Sequence, residues 1–214
     1  MSPNPFHLSK TAEHGSPPLA IETARNLMGV IDCDPASSAF WNQFVKARVC
    51  YDKRSNGLKR PWGTAAQPWT ILLNPPGDKD GLLVKAFWEK LVEEYQAGRV
   101  AQAFWVGFNM QQLTSLQTGG IDPLDFPTVF PRRRTRYYAR AGRSTRVRQG
   151  GPLHGSYYTW LPPRFTFAVT ATAVDRLTWY VQQRARFEEH TSLIGKASYP
   201  RLPLESNLPG IAAW

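Results

Sequence analysis

Strand-like and helix-like hydrophobic patterns alternate through residues 17–120, and this alternation constrains the fold more than any other feature. Short apolar runs at VIDC (30–33), RVCY (48–51), WTILL (69–73) and VAQAFWVGF (100–108) read as strands. Between them lie helical patterns. LAIETARNLMG is opened by Pro17 and Pro18, with Ser16 as its cap and Gly29 as its stop. DPASSAFWNQFVKA offers a turn, a cap and a helix. LLVKAFWEKLVEEYQAG is amphipathic and closed by Gly98, and NMQQLTSL is a further short helix. The pattern predicts an α/β fold, a mostly parallel sheet with helices on both faces. Ligands of such sheets sit at the carboxyl ends of the strands. Three polar turns fall there: Asp34 to Ser38, Asp52 to Gly57 with an Asn56-Gly57 turn signal, and Asn74 to Asp80.

Beyond residue 120, FPTVFP, SYYTWLP and FTFAVTA read as strands, and AVDRLTWYVQQRARFEEHTSL as a late helix. Residues 1–16 are expected to be a flexible arm, 17–195 one domain with a basic loop at 132–150, and 196–214 an irregular proline-rich tail. A chain of 214 residues with 42% hydrophobic content and eight tryptophans can bury a substantial single core. No apolar run reaches the roughly 18 residues of a membrane span, and the N-terminus lacks a signal-peptide core. Cys33 and Cys50 form neither a disulfide framework nor, with four histidines, a zinc spacing. The expectation is an intracellular protein with reduced thiols and no metal.

Charge narrows the partner. Lys and Arg number 26 against 16 Asp and Glu, a net charge of +10. Such an excess favours a polyanion, because each phosphate neutralised releases condensed counterions. The charge is also clustered: Arg132, Arg133, Arg134, Arg136, Arg140, Arg143, Arg146 and Arg148 follow one another with no acid between them. Arginine forks suit phosphates and stack on bases, so this segment is expected to contact nucleic acid. The plainer reading is a solvated basic loop, with one or two of Arg132 to Arg134 turned inward towards an acid. His154 reads as a hydrogen-bonded structural histidine rather than a base.

Asn74-Pro75-Pro76 carries the most specific chemistry. Each proline fixes φ and donates no backbone hydrogen bond, so the end of WTILL is stiff. The Asn74 amide oxygen and the Pro75 carbonyl are two acceptors that can grip an exocyclic –NH2 group. Accepting both protons draws the nitrogen lone pair out of conjugation and makes it a better nucleophile. This is positioning and electrostatics rather than strong base catalysis. As a bare tripeptide it is equally a proline-rich turn.

Several pieces together resemble the phage-type DNA N6-adenine methyltransferases, the Dam-like group with an Asn/Asp-Pro-Pro-aromatic loop. They are, in order, SPPLAIETA, IDCDPASS, CYDKRSNGLKRPW, WTILLNPPG, FPRRRTRYY and GPLHGSYYTWLP, spread over residues 14–162. The resemblance implies a Rossmann-like methyltransferase fold, S-adenosylmethionine as cofactor, double-stranded DNA as partner, and a phage or prophage protein in a bacterial cytoplasm. It places Asp32, Asp34, Pro35, Ala36 and Ser37 against the methionine or ribose part of the cofactor and Asn56 near its adenine. Asn74, Pro75 and Pro76 would hold the target amine. Asp34 has a plainer role open to it, as the cap of a helix beginning near Pro35.

The chain departs from the pattern at three points. Ser37 and Ser38 stand where many methyltransferases have glycines, Asn56 replaces an acid, and Gly77 replaces the aromatic residue that stacks on the base. Either another ring supplies the stacking, worth roughly 1–3 kcal/mol per base, or the target is not a flipped base; the glycine equally leaves room for a bulkier substrate. Phe87, Trp88, Trp105, Phe108 and Tyr138 are the candidate rings. Two further readings stay open: a catalytically silent nucleic-acid-binding domain, and a methyltransferase for cytosine N4, an RNA base or a protein amide.

Overall fold

The computed structural model describes residues 14–190 apart from 79, 118–119, 132–134, 136, 141–146, 151–154 and 165–171. The expected arm up to residue 13, the strand FTFAVTA, His154 and the tail lie outside the described residues.

Along the chain come β1 (His14–Gly15), α1 (Pro18–Met28), β2 (Cys33–Asp34), α2 (Ala39–Val45), β3 (Val49–Cys50) and β4 (Trp69–Leu73). There follow α3 (Leu82–Gln96), β5 (Val100–Gly107), α4 (Met110–Leu116), β6 (Thr128–Val129), β7 (Tyr137–Arg140), β8 (Val147–Gly150), β9 (Tyr157–Leu161) and α5 (Ala173–His190). The α/β class is as the alternation predicts, but the sheet is mixed rather than mostly parallel. Its order is β3-β2-β4-β5-β9-β6, and β3, β2, β4 and β5 run parallel. β9 then lies antiparallel to both β5 and β6. The reason is the connection. A parallel pair needs a long crossover, which α2 supplies between β2 and β3 and α3 between β4 and β5. Between β6 and β9 the described elements are the strands β7 and β8, with no crossover helix.

The central strands are buried on both faces, which is why their sequences are continuously apolar. Ile71, Leu73, Ala103 and Trp105 face a cluster with Val84, Phe87, Trp88 and Leu91 of α3 and Leu113 of α4. Leu72, Phe104 and Val106 alternate to the other face, against Ala20, Ala24 and Leu27 of α1 and Phe187 of α5. Arg186 of α5 donates to the Leu27 carbonyl at 3.1 Å, joining the two helices on that face.

Several expected boundaries move. Val30 is 50% exposed, and the strand expected at 30–33 begins instead at Cys33. α1 starts after Pro17 with no side-chain cap, so Ser16 does not cap it; Pro18 in its first turn has no N–H to satisfy. α2 begins only at Ala39, after Ser38, so Asp34 caps no helix near Pro35. His14 and Gly15, expected in the arm, pair with Ala139 and Tyr138 of β7. The expected basic loop is in part a hairpin: β1, β7 and β8 form a second, three-stranded sheet. Thr135 and Tyr158 share a hydrogen bond of 2.7 Å, and Tyr137 donates to Ser156 at 3.3 Å, so β7 is tied to the β9 region. No described helix is long and apolar enough to cross a membrane.

Candidate functional site

The parallel strands β2, β3 and β4 end at one edge, and each end is continued by one of the three polar turns. The turn after β2 and the segment after β3 stay paired beyond the strands. Tyr51 N–H donates to the Asp34 carbonyl at 3.1 Å, and Ser37 N–H to the Tyr51 carbonyl at 2.9 Å. Asp34 is 2% exposed. Its Oδ1 accepts from the Ala36 N–H at 3.3 Å, closing a tight turn over Pro35. Burial pushes the Asp34 carboxyl up to about 7, against the lowering effect of the Ala36 N–H and the Ser37 side chain. Among the described residues no cation pairs with it. A buried carboxylate without a counter-charge is costly to the apo protein and suited to a cationic ligand.

Asn56 is brought to the same place by a close approach. It adopts the left-handed conformation, φ 52°, before the 3-10 turn Gly57–Lys59. A Cβ on Gly57 would stand 1.9 Å from the Pro35 carbonyl oxygen, so only glycine fits there. The Gly57 carbonyl in turn accepts from Nε1 of the fully buried Trp62 at 2.9 Å. The turn of Asp34, Pro35, Ala36 and Ser37 and the turn of Asn56 thus meet at the ends of two strands, through the Gly57–Pro35 approach.

Asn74, 7% exposed, follows β4 directly, and Pro75 is buried beside it. Asn74 Nδ2 donates to the His14 carbonyl at 3.1 Å. A backbone carbonyl can only accept, so this bond fixes which way the amide faces: Nδ2 towards β1 and Oδ1 away from it. Among the described residues Oδ1 receives no hydrogen bond. His14 was invisible to sequence reasoning, since it acts through its main chain from 60 residues away. It also links two parts of the molecule: the strand that orients Asn74 is the one that pairs with β7 of the basic hairpin. Burial lowers the pKa of its imidazole.

Gly77 is covered. Cζ and Cε2 of Phe108 lie 3.1 and 3.4 Å from where a Gly77 Cβ would be. Of the five candidate rings, Phe87, Trp88 and Trp105 are buried in the core, whereas Phe108 and Tyr138 are half-buried.

Asp32 is engaged differently from its neighbour Asp34. Its Oδ2 accepts from Thr70 N–H and Thr70 Oγ1, both at 2.9 Å, and its Oδ1 pairs with Arg48 at 3.1 Å. Its carboxylate therefore stitches the start of β2 to the start of β4, away from the carboxyl edge. Of the arginines, Arg140 lies in β7 opposite Val147, and Arg148 in β8 opposite Ala139. Arg132, Arg133, Arg134, Arg136, Arg143 and Arg146 lie outside the described residues. Among the described residues no group of three or more His, Cys, Asp or Glu is placed to hold a metal ion.

Comparison with family models, curated proteins and solved structures gave no match to this chain. The geometry above is what bears on function.

Proposed function

We propose that this protein is a methyltransferase of Rossmann-like fold, which uses S-adenosylmethionine and acts on the exocyclic N6 amine of adenine in DNA. The observation that carries the reading is the locked Asn74 amide. With Nδ2 held by His14, Oδ1 and the adjoining Pro75 carbonyl are acceptors on a loop stiffened by Pro75 and Pro76. Two such acceptors orient an –NH2 group and raise the nucleophilicity of its nitrogen, as preorganised dipoles that need no rearrangement during reaction.

S-adenosylmethionine, when bound, supplies an electrophilic methyl group. Asp34, Pro35, Ala36, Ser37 and Asn56 are the residues to hold it. The fit rests on Asp34: among the described residues no cation pairs with its buried carboxyl, and the cofactor carries positive charge. Asp32 serves by tying β2 to β4, which aligns the two turns. The basic segment, Arg132 to Arg148, would take the DNA phosphates, and β1 couples it to the Asn74 loop.

The test is incubation of the purified chain with methyl-labelled cofactor and, separately, unmethylated duplex DNA, RNA and protein, with mass spectrometry of the products. N6-methyladenine in DNA is expected, together with calorimetric binding of the cofactor. Label in cytosine, RNA or a protein amide would change the acceptor. Salt-dependent DNA binding with no cofactor uptake would replace the enzyme by a silent nucleic-acid-binding domain.

A further inference from the structure

We propose that Phe108 is the ring against which the acceptor stacks, and that it replaces the side chain that residue 77 lacks. The inference rests on the methyltransferase reading and sharpens its substrate class: a planar aromatic amine, a nucleobase, rather than a glutamine amide.

β4 and β5 are parallel neighbours, with Leu73 in register with Trp105. The residues that follow, Asn74 to Gly77 on one strand and Phe108 on the other, therefore leave the sheet at the same edge. The Phe108 ring lies on the Gly77 backbone, 3.1 Å from the position of a Cβ, and so occupies space beside the loop that a side chain at 77 would claim. The glycine and the ring are complementary: a Cβ at 77 would press on the tip of the Phe108 ring, which would have to give by a few tenths of an ångström, and glycine leaves the contact relaxed. Phe108 is also held in place. β5 ends one residue before it, and Asn109 one residue after it accepts the Gln111 N–H at 2.9 Å to cap α4. It packs against both core clusters, which anchors the ring, and the residue stays half-buried at the carboxyl end of the sheet. Phe87, Trp88 and Trp105 are 5%, 2% and 0% exposed and have no free face. Tyr138 belongs to the separate sheet, where it pairs with Gly15 and Gln149. A rigid ring beside two fixed amide-type acceptors suits a flat heterocycle whose amine points at Asn74, because stacking restrains the plane while the acceptors fix the edge.

The experiment compares wild type with Phe108→Leu, Phe108→Ala, Gly77→Tyr and the pair Gly77→Tyr/Phe108→Ala. The readouts are methyl transfer to unmethylated duplex DNA, cofactor affinity by calorimetry, and melting temperature. Phe108→Leu keeps apolar volume and is the variant that reports on the ring itself. Its KM for DNA is expected to rise about ten- to a hundredfold, with cofactor affinity within twofold of wild type. Gly77→Tyr alone should lose activity by crowding Phe108. The pair returns a ring to the loop and should recover most of what Phe108→Ala loses. The proposal is overturned if Phe108→Leu transfers methyl groups with unchanged KM, or if the pair is no better than Phe108→Ala; the methyltransferase reading then stands. If wild type transfers no methyl group to any acceptor, the reading and this inference fall together.

Discussion

The parallel half of the sheet has two edges, and they treat buried charge in opposite ways. At the amino edge, Glu94 is 4% exposed but receives Lys90 Nζ at 2.8 Å and Arg99 Nε at 2.6 Å. Asp32, at the same edge, is held by Thr70 and Arg48. At the carboxyl edge, Asp34 is 2% exposed and lies deeper in the protein than Glu94, and among the described residues its carboxyl meets the groups of its own turn and no cation. Burial alone would raise both carboxyl pKa values. Glu94 nonetheless falls below the ordinary range because Arg99 and Lys90 outweigh its burial, whereas Asp34 rises to about 7. The amino edge is finished by the protein itself. The carboxyl edge leaves Asp34 without a cation among the described residues.

The sharpest way to break this contrast is at Asn74. Asn74→Ala removes the acceptor that the proposed reading gives the target amine, and is expected to lower kcat for methyl transfer about 10²- to 10³-fold, the usual scale for one preorganised oxyanion-type donor or acceptor. Cofactor affinity should hold within a few-fold, as read by calorimetry. A variant with kcat within tenfold of wild type would place the chemistry elsewhere. Gly57→Ala comes next. The new Cβ meets the Pro35 carbonyl oxygen at 1.9 Å, so the two turns must separate. At least a tenfold weaker cofactor affinity is expected, with β4 and the Asn74 loop unchanged by amide chemical shifts.

Asp34 tests the contrast through pH. Burial pushes its carboxyl from the ordinary 3.8 up to about 7 in the folded state. Between these values the folded state holds more protons, so the apo protein loses stability as pH rises from about 4 to 7. Asp34→Asn should abolish that slope in denaturant titrations. A cationic ligand prefers the ionised form, so cofactor affinity should rise with pH and level off above about 7, with proton release on binding at pH 6. Affinity in Asp34→Asn should be at least tenfold lower and independent of pH over this range. A wild-type affinity flat from pH 5 to 8 would break the link between this carboxylate and the cofactor.

The strands and helices that sequence reasoning located best are those where one period dominates: WTILL is β4 residue for residue, and the α3 pattern starts at the expected Leu82. Of the short pieces, β2 was displaced and β3 came out shorter than the expected 48–51, because two residues carry no period and their extent is set by pairing with neighbours. The antiparallel half was hidden for a different reason. Strand direction depends on the path between strands, and a tyrosine-rich run such as YYTWL reads the same in either direction. Within the site, Asn74 and the Asp34 turn were legible because polar residues interrupt apolar runs. The His14 carbonyl, the Gly57–Pro35 contact and the Phe108–Gly77 contact were not, since each is a long-range approach of main chain or ring that leaves no local pattern. Asp32 and Asp34 look alike in sequence, and only their partners separate them.

At the amino edge the expected effects fall on stability. Glu94→Gln leaves Lys90 and Arg99 without their carboxylate and should cost about 1–3 kcal/mol in urea unfolding, with cofactor affinity untouched. Its pH dependence has the opposite sign to that of Asp34. A carboxyl lowered from 4.5 stabilises the fold above that value, and the stability is lost as pH falls through its folded pKa. Wild type should therefore lose its advantage over Glu94→Gln only below about pH 4.5, the acid side of the range where Asp34 acts.

Asp32 gives the smallest and most discriminating effect. Arg48 is 66% exposed, so this ion pair is worth less than about 1 kcal/mol, and an amide at position 32 can still accept from Thr70. Asp32→Asn should thus change stability by under about 1 kcal/mol and cofactor affinity by less than twofold. The family resemblance assigns Asp32 and Asp34 to the cofactor alike, whereas their hydrogen bonds divide them between the two edges. A tenfold loss of affinity in Asp32→Asn would reunite them. It would mean that the carboxylate acts on the ligand through the alignment of β2 and β4, and that the amino edge is part of the binding site rather than its foundation.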